Sequence, residues 1–253
     1  MEVRDAESII KGLYRLYSRS SLLIHLEDLN DQINQLIHKL QASAALHTLK
    51  LSQGRRYAEA GKDASLTQIL DERLSSLQFY DIITQKLDHL RRTHFILTED
   101  LKKGLTHQDT SEDASSFIII FPELMKLHFQ LLLLIQQEYT SEINGLEIHF
   151  AKATEPPPSE ESVDIQLDHY HKAIEKSMRE VLEAVKSYAN LPERVDTDDT
   201  ISVKTRKFEH VLSLYTMNSE RLVFKAVFEN RPYQNLVSVE SEAACADEDI
   251  ELF

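Results

Sequence analysis

Asp81 and Gln85 stand four residues apart within LQFYDIITQKLDHL, residues 77–90. On a helix that spacing puts the two side chains on one face, one turn apart. A carboxylate only accepts hydrogen bonds, whereas a side-chain amide offers both donors and an acceptor. Such a pair could work on one bound group, or it could simply wet a helix surface. Geometry alone favours the solvated face. With Ile83 at the centre of the inward side, Phe79, Tyr80, Leu87 and Leu90 fall within roughly 60° of it, at about 100° per residue. Asp81 and Gln85 lie almost opposite, about 40° from each other. Gln78, Asp88 and Arg92 continue the same outer row.

Other chemistries find less material. Eleven histidines invite a metal reading. His89 and His94 are five apart and diverge around a helix, and His169 and His171 are two apart and face different ways. No Glu-x-x-His pair is present, which removes the usual di-iron pattern of helical bundles. The expectation is no metal and no cofactor, with the histidines as ordinary polar or half-buried residues. Cys245, the single cysteine, sits among acids with nothing nearby to lower its thiol pKa. Five glycines leave no material for a phosphate-cradling loop.

The elements that must position Asp81 and Gln85 read as helices. Five Gly and six Pro in 253 residues are too few for the many turns of a sheet protein. Residues 5–17 suggest a short helix. A long one follows from Ser20 or Ser21 to about Ala60, with Leu22, Ile24, Leu29, Ile33, Leu36, Ile37 and Leu40 at threes and fours. Gly61 ends it. A third helix is expected from Ser65 to Lys103 without a break, stopped by Gly104. It forms an antiparallel hairpin with the second. A fourth runs from about Pro122 to Ala151, with proline in a first turn that needs no N–H from it. Pro156, Pro157 and Pro158 mark an extended spacer. A fifth helix covers about 163–190, and a sixth about 201–228. The fold class is therefore all-α, a long antiparallel helical hairpin extended into a bundle. The expected divisions are 1–152 for the hairpin and a core helix, 153–162 for the spacer, 163–230 for further helices and 231–253 for an acidic flexible tail.

Charge narrows the partners. The formal net charge is −14, which disfavours nucleic acid and anionic membrane surfaces. The apolar window at 117–135 contains Pro122, Glu123, Lys126, His128 and Gln130. Charges at mid-bilayer cost roughly 2.5–3.5 kcal/mol each, so it reads as a buried core helix. A lone cysteine and the lack of a secretion-type start at MEVRDAESII suggest a cytoplasmic setting. Residues 240–253, ESEAACADEDIELF, carry six acids and no base. Asp247, Asp249, Ile250, Leu252 and Phe253 there could form a short motif that folds on a grooved protein partner. The apolar stripe of a two-helix hairpin needs a cover. A homodimer would supply it, and so would the chain's own fourth and fifth helices.

FYDIITQ, residues 79–85, resembles the F-Q-D-L-T-G-Q stretch of the CheZ family of chemotaxis phosphatases. Phe79 matches the aromatic, Asp81 the aspartate and Gln85 the glutamine, while Ile83 replaces the threonine and Thr84 the glycine. The resemblance implies a long helical hairpin that acts on a CheY-like response regulator. The acidic tail ending in Phe253 is similar in character to the family's regulator-gripping peptide. Nothing in 105–234 matches. Carried over residue by residue, Gln85 would orient a water toward the regulator's aspartyl phosphate, and Asp81 would hold a regulator lysine. Positioning dominates such phosphoryl transfer, and Mg²⁺ would belong to the regulator. Two functions are therefore expected. One is a non-catalytic helical scaffold of a bacterial signalling system, binding a partner through helices and tail. The other is a phosphatase that accelerates loss of an aspartyl phosphate.

Overall fold

A computed structural model describes residues 2–106, 117–153, 161–190, 198–229, 231 and 236. Asp247, Asp249, Ile250, Leu252 and Phe253, with the Pro156–Pro158 spacer, lie outside the described residues. The helices are α1 (Glu2–Gly61), α2 (Ala64–Ser76), α3 (Gln78–Thr106), α4 (Phe121–Ala153), α5 (Glu161–Ala189), α6 (Asp198–Leu212) and α7 (Asn218–Val227). A short 3-10 turn, Phe117–Ile120, leads into α4. No strand occurs among the described residues, and the class is all-α.

Three expected boundaries differ. The first two expected helices are one continuous α1 of 60 residues, about 90 Å at 1.5 Å per residue. The expected third helix is broken at Leu77. There the Ser75 hydroxyl donates to Asp71 O at 3.1 Å and the Ser76 hydroxyl to Arg73 O at 2.8 Å. Such side-chain bonds compete with the helical ladder, and Leu77 turns into the core. The expected sixth helix is broken between Leu212 and Asn218, a stretch with no Gly or Pro, because Tyr215 is drawn into the interior. The α4 and α5 expectations hold to within two residues, with Pro122 in the first turn of α4.

Gly61 closes α1, yet the left-handed residue is Lys62, with φ 58°. Lys62 N–H donates to Glu59 O at 3.1 Å and Asp63 N–H to Ala58 O at 2.9 Å. This pair of reversed bonds is a Schellman cap. Asp63 Oδ1 then accepts from Leu66 N–H at 3.0 Å, capping α2 directly.

Side-chain links fix the direction of each packed pair. Ser43–Tyr80 and Asn34–Arg91 join α1 and α3. Lys86–Glu138 and His94–His128 join α3 and α4. Tyr139 and His171, and Phe121 and Tyr188, face each other across α4 and α5. Lys39–Ser177 and His25–Tyr188 join α1 and α5. In every pair the numbers rise in one helix as they fall in the other. The ring α1–α3–α4–α5 is therefore an up-down-up-down four-helix bundle. One apolar cluster runs through it, from Leu26, Ile33 and Leu40 through Ile83, Leu87 and Leu90 to Leu131, Ile135, Ile174 and Val181. The hairpin's stripe is thus covered by the chain's own α4 and α5. Helices α6 and α7 pack outside the ring, through Phe208, Phe224 and Phe228.

No described helix is long and apolar enough to cross a membrane. The polar residues of the apolar window are accommodated inside the fold. Glu123 is buried against Lys204 of α6, and His128 is buried in a hydrogen-bonded chain.

Candidate functional site

Helix α3 lays its apolar stripe on α1 and α4, which leaves a narrow polar row outside. Ile83 is 1% exposed, with Phe79, Tyr80, Leu87 and Leu90 also buried. Asp81 and Gln85 are both exposed, side by side on the outer row. They line an open groove of about 490 Å³ between α3 and α1. Helix α1 contributes Asn34, His38 and Gln41 to it, and Arg91 closes one end.

The carboxylates in this row differ in availability. Asp88 is held by Arg91, whose Nε donates to it at 2.9 Å, and by Arg92 at 2.7 Å. Arg91 also reaches across to Asn34 Oδ1 at 3.4 Å. Asp81 has no ion pair or hydrogen bond among the described residues. Gln85 makes one long contact, Nε2 to Thr216 Oγ1 at 3.4 Å, from the turn between α6 and α7. The amide keeps its carbonyl oxygen and most of its donor capacity. An acid and an amide poised this way can grip a cationic side chain and orient a water. No group of three or more metal-ligating side chains converges among the described residues.

Position in sequence hides a second kind of site. Five histidines expected to be ordinary surface or half-buried groups, His47, His89, His94, His128 and His171, are buried. They fall at core positions of four helices, and their spacing along any one helix carries no signal of it. His128 Nδ1 lies 2.7 Å from His94 Nε2, and His128 Nε2 lies 2.8 Å from the Tyr215 hydroxyl. Tyr215 is 3.4 Å from the Thr93 hydroxyl, which donates to His89 O at 3.0 Å. A one-way chain satisfies these contacts. His94 Nε2–H donates to His128, His128 Nε2–H to Tyr215, Tyr215 to Thr93, and Thr93 to the His89 carbonyl. In this chain only the His94 Nδ1 lone pair is left without a partner among the described residues. The reverse order would leave a buried N–H there, which costs more. Beside this chain His89 Nδ1 donates to both oxygens of Glu220, at 2.9 and 3.0 Å.

Burial holds both rings neutral. It lowers His94 to about 3 and, together with its neighbour His94, takes His128 well below the ordinary histidine value. Burial raises the Tyr215 hydroxyl. A similar group sits between α1 and α3. The Tyr80 hydroxyl lies 2.8 Å from Ser43 Oγ and 3.0 Å from His47 Nδ1, with His47 stacked on His171 at 5.1 Å. Burial first, then the His171 charge, lowers His47 to about 4.

Comparison with protein-family models, with curated proteins and with solved structures returned no match.

Proposed function

We propose that the chain is a helical docking protein of a bacterial signalling system, and that a response-regulator-type partner seats on the outer face of α3. The observation that carries this reading is the pairing of Asp81 and Gln85 on an open groove, with the Asp81 carboxylate uncommitted among the described residues. An uncommitted acid attracts a partner lysine or arginine without first losing an internal ion pair. The neighbouring Asp88 is already occupied and makes a poorer target. The acidic residues Asp247 and Asp249, with Ile250, Leu252 and Phe253, supply a second contact in this proposal. The setting is cytoplasmic, and the four-helix ring of one chain makes a homodimer unnecessary for the site.

The test is binding of the full chain to a panel of response-regulator receiver domains, with and without beryllofluoride. Asp81→Lys is expected to weaken the productive partner at least tenfold and leave α-helical content unchanged. If no receiver domain binds, or if Asp81→Lys binds as well as the parent chain, the docking reading is lost.

A second reading has its own support, since Gln85 stands one turn from Asp81 with its amide only loosely held. In it, Gln85 orients the attacking water on a bound regulator's aspartyl phosphate. Gln85→Ala would then slow phosphate release at least tenfold while binding persists. Unchanged phosphate release beside intact binding would leave the scaffold reading alone.

A further inference from the structure

Helices α6 and α7 are joined to the bundle by polar links that are unusual in being buried. Lys204 of α6 meets Glu123 of α4, both 2% exposed. Glu220 of α7 accepts from His89 of α3 and from Met217 N–H at 3.2 Å. Between them the turn Ser213–Met217 inserts Tyr215, fully buried, onto His128. Arg221 Nε donates to Tyr215 O at 3.2 Å and braces the turn from behind. The residues flanking this plug reach the outer face. Thr216 touches the Gln85 amide, and Leu214 lines a second groove between α1 and α3 beside Phe95 and Arg92.

We propose that the α6–α7 turn is a detachable clamp on the Asp81–Gln85 face, plugged into the bundle by Tyr215 and released when the histidines behind the plug take up protons. Its effect on a partner rests on the docking reading above; the clamp itself does not. Among the described residues, Tyr215 is the only hydrogen-bond partner of His128 outside the bundle ring. Withdrawing it opens the His94–His128 pair to water. While the plug is seated, an added proton has no acceptor to meet. On His94 Nδ1 it creates a buried, unmatched N–H, and on His128 it forces His94 into the tautomer that does the same. Once the plug is withdrawn, water satisfies both rings. Acid therefore favours the open state.

The other titratable groups facing this core are His89 of α3, Glu123 of α4, Lys204 of α6, and Glu220 and Arg221 of α7. Each has a partner across or within the interface. Burial, which lowers both His94 and His128, acts in the same direction as the geometry. A histidine that becomes exposed on opening multiplies the open population by about 30-fold between a pH above 6.5 and pH 5.

Amide hydrogen exchange of the full chain, corrected for the intrinsic pH dependence of the rate, tests this without any partner. On moving from pH 7 to pH 5, opening of residues 198–229 is expected to rise at least tenfold while α1 and α3 stay better protected than 198–229 and change only with the global stability. Tyr215→Phe, which removes one hydroxyl, should raise opening of 198–229 at least tenfold already at pH 7. His128→Gln should flatten the pH response. The Gln85 side-chain amide signal, assigned by its loss in Gln85→Glu, should shift over the same pH range. Four results overturn the clamp: equal protection at both pH values, opening of α1 and α3 as frequent as that of 198–229 at pH 5, an undiminished pH response in His128→Gln, or a Gln85 signal that does not move. Should His128→Gln fail to fold, Tyr215→Phe decides alone, and unchanged protection in it rejects the proposal. A regulator that fails to bind would reject the docking reading and leave these measurements untouched.

Discussion

Buried ionisable side chains set how this protein responds to acid. His47 and His94 are held neutral in the fold, at about 4 and about 3, chiefly by burial. In the unfolded chain each binds a proton near pH 6.5. The unfolded state therefore gains protons first, and stability is complete above about pH 6.5 and declines as pH falls toward 4 and then 3. Denaturant titrations at pH 7 and pH 5 should differ by up to about 2 kcal/mol per histidine, with the pH 5 midpoint lower. Glu123 and Lys204 make a second prediction. Removing one partner, as in Lys204→Met, leaves an unmatched buried charge and should cost about 3–5 kcal/mol. The pair exchange Glu123→Leu with Lys204→Met should recover most of that in the same denaturation assay. These residues are where sequence reading failed. A lone histidine on an amphipathic helix is usually polar surface, and its partner here comes from another helix, 34 residues away for His94 and His128. No pattern along one helix encodes that encounter.

Caps and breaks decide where each helix stops, and they are only partly legible. Gly61 marks the end of α1 correctly, because few other features stop a run so rich in helix formers. The residue that adopts the left-handed conformation is its neighbour Lys62. A side chain there costs about 1–2 kcal/mol relative to glycine. Lys62→Gly should therefore stabilise the chain, by up to about 1 kcal/mol once the extra freedom of the unfolded state is subtracted. A rise in thermal midpoint checks it, and Gly61→Ala, whose added methyl meets nothing within 4 Å, should not lower it. The break at Leu77 had a faint signal in Ser75 and Ser76, whose hydroxyls turn back on the backbone. The break around Tyr215 had none. No glycine or proline marks it, and the gain comes from seating a tyrosine on His128.

The whole molecule settles which helices cover which. A two-helix hairpin with one apolar stripe is compatible with a dimer and equally with a closed ring of four. The chain takes the second course, since α4 and α5 fill the remaining two positions and share one core with α1 and α3. The hairpin alone, residues 1–106, should then lose cooperative folding or self-associate, whereas the full chain should unfold in one transition. Analytical ultracentrifugation and calorimetry of both would distinguish these outcomes.

Scarce glycine and proline, the placement of the prolines and apolar periodicity determined the helical class, the α4 and α5 limits and the outward row of Asp81 and Gln85. Each of these is local, because it depends on which residues stand near one another along a single helix or at its ends. The tertiary structure decided that Asp88 is occupied while Asp81 has no partner among the described residues. It also decided that Thr216 leans on Gln85, and that histidines from α3 and α4 share one buried chain with Tyr215. Those are contacts between segments far apart in sequence. Their energies come from exclusion of water at the meeting point, which a linear pattern does not record.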